Sequence, residues 1–356
     1  MSFLAIPPVE TLADNLTTNW LAGAAAAMQS RDYQTAIKYC NKILEQGTPN
    51  PLAYAERSSA YWQSGDSRKA FSDIDEAIRT STNLIAKAVY YSTRGCYNLR
   101  ATNYEDAVDD CSQSIELDPT CWSSYVYRAD ALEKLGRFNQ SIYNCNMATM
   151  LDPQKAEPYY IKTLALRDLN QVPEAIEACN KAMDLDTNYF SLHYVRGFLY
   201  FESEDYRDAI QDFGKAIELN PNIPDAYCSR GLSRSHIGDF KNGIQDCLKG
   251  FQLDTNSCNG CNNLAWLLTI APDAKLRDGN KAVALATRSC ELSSWRNAYC
   301  IGTLAAANAE VGNFDKAVEL ERKCILMGLP DKEMRQAHVE LNLFEQKKPY
   351  HQDKPE

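Results

Sequence analysis

The absences in this sequence exclude several classes of function. The chain has no cluster of lysine and arginine, and its formal net charge of −10 is spread over both halves. Nucleic acids and anionic membranes bind clustered basic residues, so neither is expected as the main partner. No apolar run reaches the length needed to span a bilayer. The N-terminus, MSFLAIPPVE, lacks the basic region of a secretory signal, so a cytoplasmic location is expected.

The motifs of common catalytic and cofactor-binding folds are also missing. We find no nucleophile elbow, no phosphate-binding loop and no glycine-rich dinucleotide fingerprint. The carboxylates form no acid–base pair, and the spacing of the four histidines is not that of metal ligands. These histidines are His193, His236, His338 and His351. The sequence therefore predicts a protein that is not an enzyme and that needs no cofactor.

What the sequence does contain is one motif that recurs along its length. DYRDAIQDFGKAIELNP begins at Asp205, NYEDAVDDCSQSIELDP at Asn103, and DFKNGIQDCLKGFQLD at Asp239. The small residue at the centre of each copy serves as an anchor. The anchors are Ala36, Ala70, Ala107, Ser141, Ala175, Ala209, Gly243, Ala282 and Ala317. They are separated by 34, 37, 34, 34, 34, 34, 39 and 35 residues, a period typical of helix-turn-helix arrays.

Other positions repeat in the same register. Small residues stand seven after and twelve before the anchor, and aromatic residues three and sixteen before it. Small side chains allow two antiparallel helices to approach closely, while the aromatic rings fill the space between neighbouring pairs. Pro119, Pro153 and Pro221 stop three of the second helices. No single repeat can bury its apolar face alone, so the sequence predicts an all-α stack of helix pairs.

At these positions the sequence resembles the tetratricopeptide repeat family over residues 17–327. The resemblance implies a right-handed superhelical solenoid of about nine antiparallel helix pairs, with a C-terminal capping helix at 328–346. Residues 1–16 would form a lead-in and residues 347–356 a tail. Repeat eight carries about five extra residues, near 271–279, and the last repeats resemble those of bacterial tetratricopeptide repeat proteins.

Charged residues also recur in this register. A basic side chain stands thirteen before the anchor in six consecutive repeats: Arg57, Arg94, Arg128, Lys162, Arg196 and Arg230. An aspartate stands three after the anchor in four of these repeats: Asp73, Asp110, Asp212 and Asp246. A phosphate or carboxylate site is one interpretation. We favour an arginine–aspartate bond inside each repeat, which orients its two helices. Arg128 and Lys162 lack the aspartate.

The thirteen cysteines suggest reduced thiols, because their number is odd and the chain is long. Five share the position four after the anchor, where other repeats have Ile74 and Phe213, so they are interpreted as apolar packing. They are Cys40, Cys111, Cys145, Cys179 and Cys247. Cys258 and Cys261 form the only CxxC. A thiol redox or zinc-binding protein that uses this pair is the alternative function, although no second ligand pair completes a zinc site.

The family resemblance implies that the first helix of each pair lines an inner, concave surface where peptides or partner helices dock. Its inner-facing residues would lie fifteen, eleven and eight before the anchor. With the neighbouring Tyr127, the candidate partner-binding residues are Tyr127, Asp130, Tyr160, Leu164, Arg167, Tyr194, Phe198 and Phe201. Packing is the alternative role for the tyrosines, which are common there in the family. Phe198 is more informative because its position is usually polar.

The predicted function is a non-catalytic scaffold that binds a protein or peptide, since rigid aromatic rings bind at low entropic cost. The acidic chain should prefer partners with some positive charge. A chaperone-type clamp for a C-terminal carboxylate is not supported, because its asparagine position is occupied by other residues. These are Ala25, Ser59, Cys96, Asp130, Leu164, Phe198 and Leu232.

Overall fold

The computed structural model describes residues 15–186 and 190–352. Within these ranges the chain contains nineteen α-helices and one short 3-10 helix, and it has no strand. It is an all-α helical repeat solenoid, as the repeat period predicted. The right-handed twist remains a prediction. Most of the predicted lead-in (1–14) and the last tail residues (353–356) lie outside the described residues.

The chain divides into two compact units, Met1–Leu185 and Asp186–Glu356. The first unit contains five helix pairs. They are α1 (Asn15–Gln29), α2 (Tyr33–Leu44), α3 (Pro51–Gln63), α4 (Ser67–Thr80), α5 (Leu84–Arg100), α6 (Tyr104–Leu117), α7 (Trp122–Lys134), α8 (Phe138–Leu151), α9 (Ala156–Asp168) and α10 (Val172–Leu185).

The second unit contains four helix pairs and a final helix. They are α11 (Phe190–Glu202), α12 (Tyr206–Leu219), α13 (Pro224–His236), α14 (Phe240–Leu253), α15 (Cys258–Ile270), α16 (Gly279–Leu292), α17 (Ala298–Glu310), α18 (Phe314–Met327) and α19 (Asp331–Glu345). The 3-10 helix, Ala274–Leu276, lies in the extra residues of repeat eight. None of the described helices combines the length and apolar character needed to cross a bilayer.

The anchor residues lie where the two helices of a pair touch. Ala36, Ala107, Ser141 and Ala209 are 0% exposed, and Gly243 is buried. The five cysteines of the shared position are likewise buried, which confirms their interpretation as packing. Because small side chains recur at the contact, each pair closes in the same way, and the packing repeats with the sequence.

The predicted arginine–aspartate bonds are present in all four repeats that have both residues. The Nε atoms of Arg57, Arg196 and Arg230 donate to their aspartates at 2.7, 2.7 and 2.8 Å. Arg94 Nε lies 3.0 Å from Asp110 Oδ2. In each pair the arginine belongs to the first helix and the buried aspartate to the second, so the bond fixes the two helices against each other.

The two basic residues without an aspartate use neutral oxygens instead. Arg128 donates to Asn144 Oδ1 at 2.9 Å and to Ser112 at 3.0 Å. Lys162 Nζ lies 2.9 Å from Asn146 Oδ1. Since both cations have partners inside their own unit, the basic column as a whole is structural.

Replacement of Asp246 by asparagine should destabilise repeat seven. Asp246 accepts two hydrogen bonds from Arg230, each 2.8 Å long, and a third from Arg234 at 2.6 Å. An amide of the same shape removes the negative charge between two guanidinium groups. We expect Asp246→Asn to lower the free energy of unfolding by about 2 kcal/mol. Urea unfolding of Asp225→Asn, an exposed carboxylate on α13, provides the control. Equal losses in the two variants would contradict a special role for the buried carboxylate.

Candidate functional site

The candidate binding residues lie on the first helices of their pairs, as the register predicted. Five are in the first unit, on α7 (Tyr127 and Asp130) and on α9 (Tyr160, Leu164 and Arg167). The other three, Tyr194, Phe198 and Phe201, are on α11 in the second unit. All eight are partly exposed. We call the surface formed by these positions of the first helices the first-helix face of each unit.

In the first unit, Asp130 is a carboxylate in a partly buried setting. Burial raises its pKa above the usual value, and Glu133 raises it further, whereas Lys134 and Arg100 act in the opposite direction. Asp130 makes no hydrogen bond or ion pair within the described residues of the chain. Lys134 Nζ is instead 2.9 Å from Glu133 Oε2. The charge of Asp130 is therefore not directly neutralised by any residue that the structure describes.

The neighbours of Asp130 on this face are a tyrosine and two α9 residues of different character. Burial of Tyr127 raises the pKa of its hydroxyl, and the Cys96 thiol contributes to the rise. Leu164 adds apolar surface in the register position of Asp130. Arg167 forms a salt bridge of 2.7 Å with Asp168 beside it. Arg167 therefore already has an anionic partner within its own helix.

In the second unit, aromatic rings of α11, α12 and α13 form a continuous cluster that includes Phe198 and Phe201 of the first-helix face. The ring centroids of Phe198 and Phe201 are 6.5 Å apart, and Phe201 meets the edge of Tyr206 at 5.6 Å. His236, at the end of α13, also lies 5.6 Å from Phe201 and stacks on Tyr206 at 4.2 Å. We call Phe198, Phe201, Tyr206 and His236 the aromatic cluster. It offers ring faces and edges, which suit an apolar or cationic side chain.

Tyr194 has a different position from the other two candidates on α11. Its ring centroid is 5.8 Å from that of the fully buried Phe213 on α12. Part of this ring therefore packs against the second helix of its own repeat. This contact agrees with the alternative role of the tyrosines, which is packing rather than binding.

Two members of the aromatic cluster were absent from the candidate residues. Tyr206 stands three before its anchor, in the aromatic column interpreted as packing, and His236 had no recognisable ligand spacing. In the sequence, only its place in the aromatic column singles out Tyr206. The contact of His236 with α11 and α12 depends on how neighbouring pairs stack, which the repeat period alone does not specify.

An ion pair lies beside the aromatic cluster. Lys332 of α19 and Glu204 of the α11–α12 turn form a salt bridge, although they are 128 residues apart in sequence. The pKa of His236 is lowered by the partial burial of its ring and by the positive charge of Lys332. His236 is thus an aromatic, mostly neutral ring at neutral pH.

The two cysteines of the CxxC differ from a redox pair. Burial raises the pKa of the Cys261 thiol, which is opposite to the shift of a reactive thiolate. Cys258 Sγ contacts the sulfur of Cys300 on α17 at 3.5 Å. Within residues 15–186 and 190–352, no group of three or more metal-ligating side chains converges.

Comparison with known proteins places one of these repeats in a family. Residues 190–223 match the model of the tetratricopeptide repeat. Over 92 residues, 26% of this chain, the sequence is 33% identical to protein unc-45 homolog B of Xenopus laevis. It is 29% identical over 94 residues to the small glutamine-rich tetratricopeptide repeat-containing protein 2 of Mycosarcoma maydis. The matched regions span only 10% and 26% of those two proteins.

Solved structures show the same fold over most of the chain. The Cut9–Hcn1 hetero-tetramer of the APC/C matches 92% of this chain and 90% of its own, with a TM-score of 0.51 and 12% identity. A tetratricopeptide repeat protein from Parabacteroides merdae matches 83% of this chain and 98% of its own, with a TM-score of 0.50 and 14% identity. At such identities the likeness concerns the fold alone. The matched residues show that 190–223 form a tetratricopeptide repeat, and the period and the helix pairs show the same all-α repeat fold along the rest of the described chain.

Proposed function

We propose that the chain is a non-catalytic scaffold that binds an extended segment of a partner protein on its first-helix face. The aromatic cluster of the second unit carries this proposal. Its rings are partly exposed, preformed and held by contacts with one another, so a partner can bury side chains against them with little loss of conformational entropy. Phe198 lies where the family usually has a polar residue, which favours a binding role over a purely structural one.

The charge of the first-helix face supports a partner with some positive charge. In the first unit, Asp130 is a half-buried carboxylate whose pKa is raised by burial, and it forms no ion pair with the described residues. A lysine or arginine of a bound segment would supply the missing cation, and the pair would be partly shielded from water. The net charge of −10 also attracts positively charged partners, at longer range.

The remaining expectations about partners follow from the same features. Nucleic acid and membrane surfaces are not proposed as partners, since the basic residues of the repeated column are engaged with oxygens of the same unit. Phe198, Leu164 and Asp130 occupy the asparagine position of the carboxylate clamp, which disfavours a chaperone C-terminus as the ligand. All thirteen cysteines are free thiols, in keeping with a reducing, cytoplasmic location.

Selection from a random peptide library tests the proposal on the intact chain. We expect the selected peptides to combine an aromatic or aliphatic residue with a nearby lysine or arginine. Replacement of Phe198 and Phe201 by alanine should weaken the binding of peptides that contact the second unit by about 30-fold, the effect of losing a central aromatic contact. Asp130→Asn should weaken the binding of basic peptides that contact the first unit by about tenfold. Fluorescence polarisation with labelled peptides measures both effects.

Each variant has a matched control in its own unit. Leu219→Ala removes an exposed apolar side chain from α12, and Asp109→Asn removes an exposed carboxylate from α6. Circular dichroism checks that the helices are retained. If selected peptides bind the alanine and asparagine variants as tightly as the parent chain, the first-helix face is not the binding surface. An equal loss of peptide affinity in the control variants would also show that the first-helix face is not the binding surface.

A further inference from the structure

The chain returns to its own first-helix face after the last helix. At the end of α19, Lys347 adopts a positive φ of 60°, and the Lys348 N–H donates to the carbonyl of Leu343 at 2.9 Å. This arrangement is a helix C-terminal motif that reverses the direction of the chain. Pro349 follows and prevents further helix. The next residues therefore do not continue the helix.

Three consecutive residues of this segment contact the ends of α15 and α17. The Tyr350 ring stacks on Trp266 of α15, with centroids 6.2 Å apart and an interplanar angle of 21°. His351 Nε2 donates to Glu310 Oε2 at 2.6 Å. The Gln352 N–H donates to the carbonyl of Ile270 at 2.9 Å. Ile270 ends α15, and its carbonyl is one of those that a helix cannot satisfy by itself. We call residues 350–352 the return segment.

Glu310, the carboxylate that accepts the hydrogen bond from His351, is held in place by the extra residues of repeat eight. Arg277 Nε donates to Glu310 Oε1 at 2.8 Å, while Arg277 Nη1 donates to the Ala271 carbonyl at 2.8 Å. Arg277 and Ala271 both fall in the predicted insertion near 271–279. Glu310 is thereby oriented, with its second oxygen directed to the return segment. The departure from the 34-residue period thus serves to build an acceptor site.

The return segment occupies the first-helix face rather than an unrelated surface. Trp266 follows Leu232 by 34 residues, and Leu232 follows Phe198 by 34 residues. The three side chains have the same register position on α15, α13 and α11. The stacked pair of Trp266 and Tyr350 is consequently the counterpart, in repeat eight, of the surface that Phe198 forms in repeat six.

We propose that Trp266, Glu310 and the Ile270 carbonyl form a peptide site that the return segment occupies as a tethered competitor. The site fits a partner segment of the same chemistry. Such a segment has an aromatic ring, then a side chain that donates to a carboxylate, then an unpaired backbone N–H. This inference rests on the proposed function only in that the first-helix face accepts extended segments. The attached segment competes at an effective concentration of about 1 mM, so it blocks weak partners and yields to strong ones.

A peptide with the sequence of residues 346–352, QKKPYHQ, tests the proposal without an identified partner. The full chain and a full-length variant with Tyr350→Ala and His351→Ala are titrated against the fluorescein-labelled peptide. We expect the variant to bind at least about tenfold more tightly than the parent chain, because its site is vacated. Adding Glu310→Gln to the variant should weaken binding about tenfold again, since the charged acceptor is lost. Lys348→Ala, an exposed substitution in the same tail, should bind like the parent chain.

Hydrogen exchange at the Gln352 amide reports whether the return segment has left its site. Faster exchange in the double variant together with tighter peptide binding supports the proposal. Faster exchange with no gain in binding overturns it, because the vacated surface then has no affinity for the segment. Unchanged exchange in the double variant also overturns it, since the ring and the imidazole would not be what holds the segment. A failure of either kind leaves library-peptide binding at Phe198 and Phe201 unaffected, so the two proposals fail separately.

Discussion

Replacement of Gly231 by alanine is expected to destabilise repeat seven by about 3 kcal/mol, because α13 and α14 approach too closely for a methyl group. A Cβ atom at Gly231 would lie 2.6 Å from the carbonyl oxygen of Gly243 and 2.6 Å from Cys247 Sγ. The thiol can rotate away, but the carbonyl is backbone. The two helices would have to separate, and the buried contacts around Cys247 would be lost.

The sign of this effect distinguishes close packing from intrinsic helix propensity. Gly214 also lies inside a helix, but a Cβ there would meet only Arg230 Nη1, at 3.6 Å. Gly214→Ala should therefore stabilise the protein by about 0.5–1 kcal/mol, as alanine does at an open helical position. Urea unfolding gives the two changes in stability. Amide exchange of α13 and α14 locates the first, since a repeat array can unfold in parts. Shifts of the same sign in both variants would contradict the close-contact argument.

The repeat period predicted the fold but not this contact. The sequence indicates only that a small residue is needed at the position of Gly231, which other repeats fill with Ser58, Gly95, Ala129, Thr163 and Gly197. Repeat seven differs because its anchor is Gly243 rather than alanine. Two glycines that face each other allow a shorter distance between the helices than one. Pairwise effects of this kind are not visible in single columns of a repeat.

In the candidate site, too, the period predicts the positions of residues along the helices but not the contacts between neighbouring helix pairs. The register correctly placed Phe198 and Phe201 on a first helix, because position within a helical repeat follows from the period. It missed Tyr206 and His236, whose contacts with Phe201 depend on the stacking of neighbouring pairs. The length of repeat eight predicts an insertion, but the hydrogen bond by which Arg277 orients Glu310 depends on three-dimensional packing that the period does not specify. The sequence therefore predicts features that follow the period. It also locates departures from the period, but it does not indicate their structural role.

The helices α18 and α19 bury a pair of carboxyl groups, and no cation among the described residues pairs with either of them. Glu321 of α18 is 1% exposed and Glu340 of α19 is 4% exposed. Glu321 Oε2 has no hydrogen-bond partner within the described residues, whereas Glu340 accepts from Gln336 at 2.9 Å. Burial, and then the charge of Glu340, raise the pKa of Glu321 to about 9, and burial raises the pKa of Glu340 to about 7. The other titratable group beside Glu321 is the Cys324 thiol, whose pKa burial raises to about 12.

These shifts predict that the docking of α19 weakens as the pH rises. A carboxyl group with a raised pKa contributes its full stability below its unfolded pKa of 4.5 and loses it progressively up to its folded pKa. The window is therefore pH 4.5 to about 7 for Glu340 and 4.5 to about 9 for Glu321. Glu321→Gln removes the larger penalty, so we expect it to stabilise the C-terminal repeats by about 3 kcal/mol at pH 7 and hardly at all at pH 4.5.

Unfolding midpoints in urea at pH 5, 7 and 9, with amide exchange of α19, measure this effect of Glu321→Gln. The parent chain should lose stability steadily over the series, and the variant should lose much less, because its buried amide does not ionise. Glu319→Gln, an exposed carboxylate on the same helix, should follow the parent chain at each pH. A variant whose midpoints fall in parallel with those of the parent would mean that Glu321 is not the group responsible. The pH dependence would then have to come from Glu340, which Glu340→Gln would show by the same measurement.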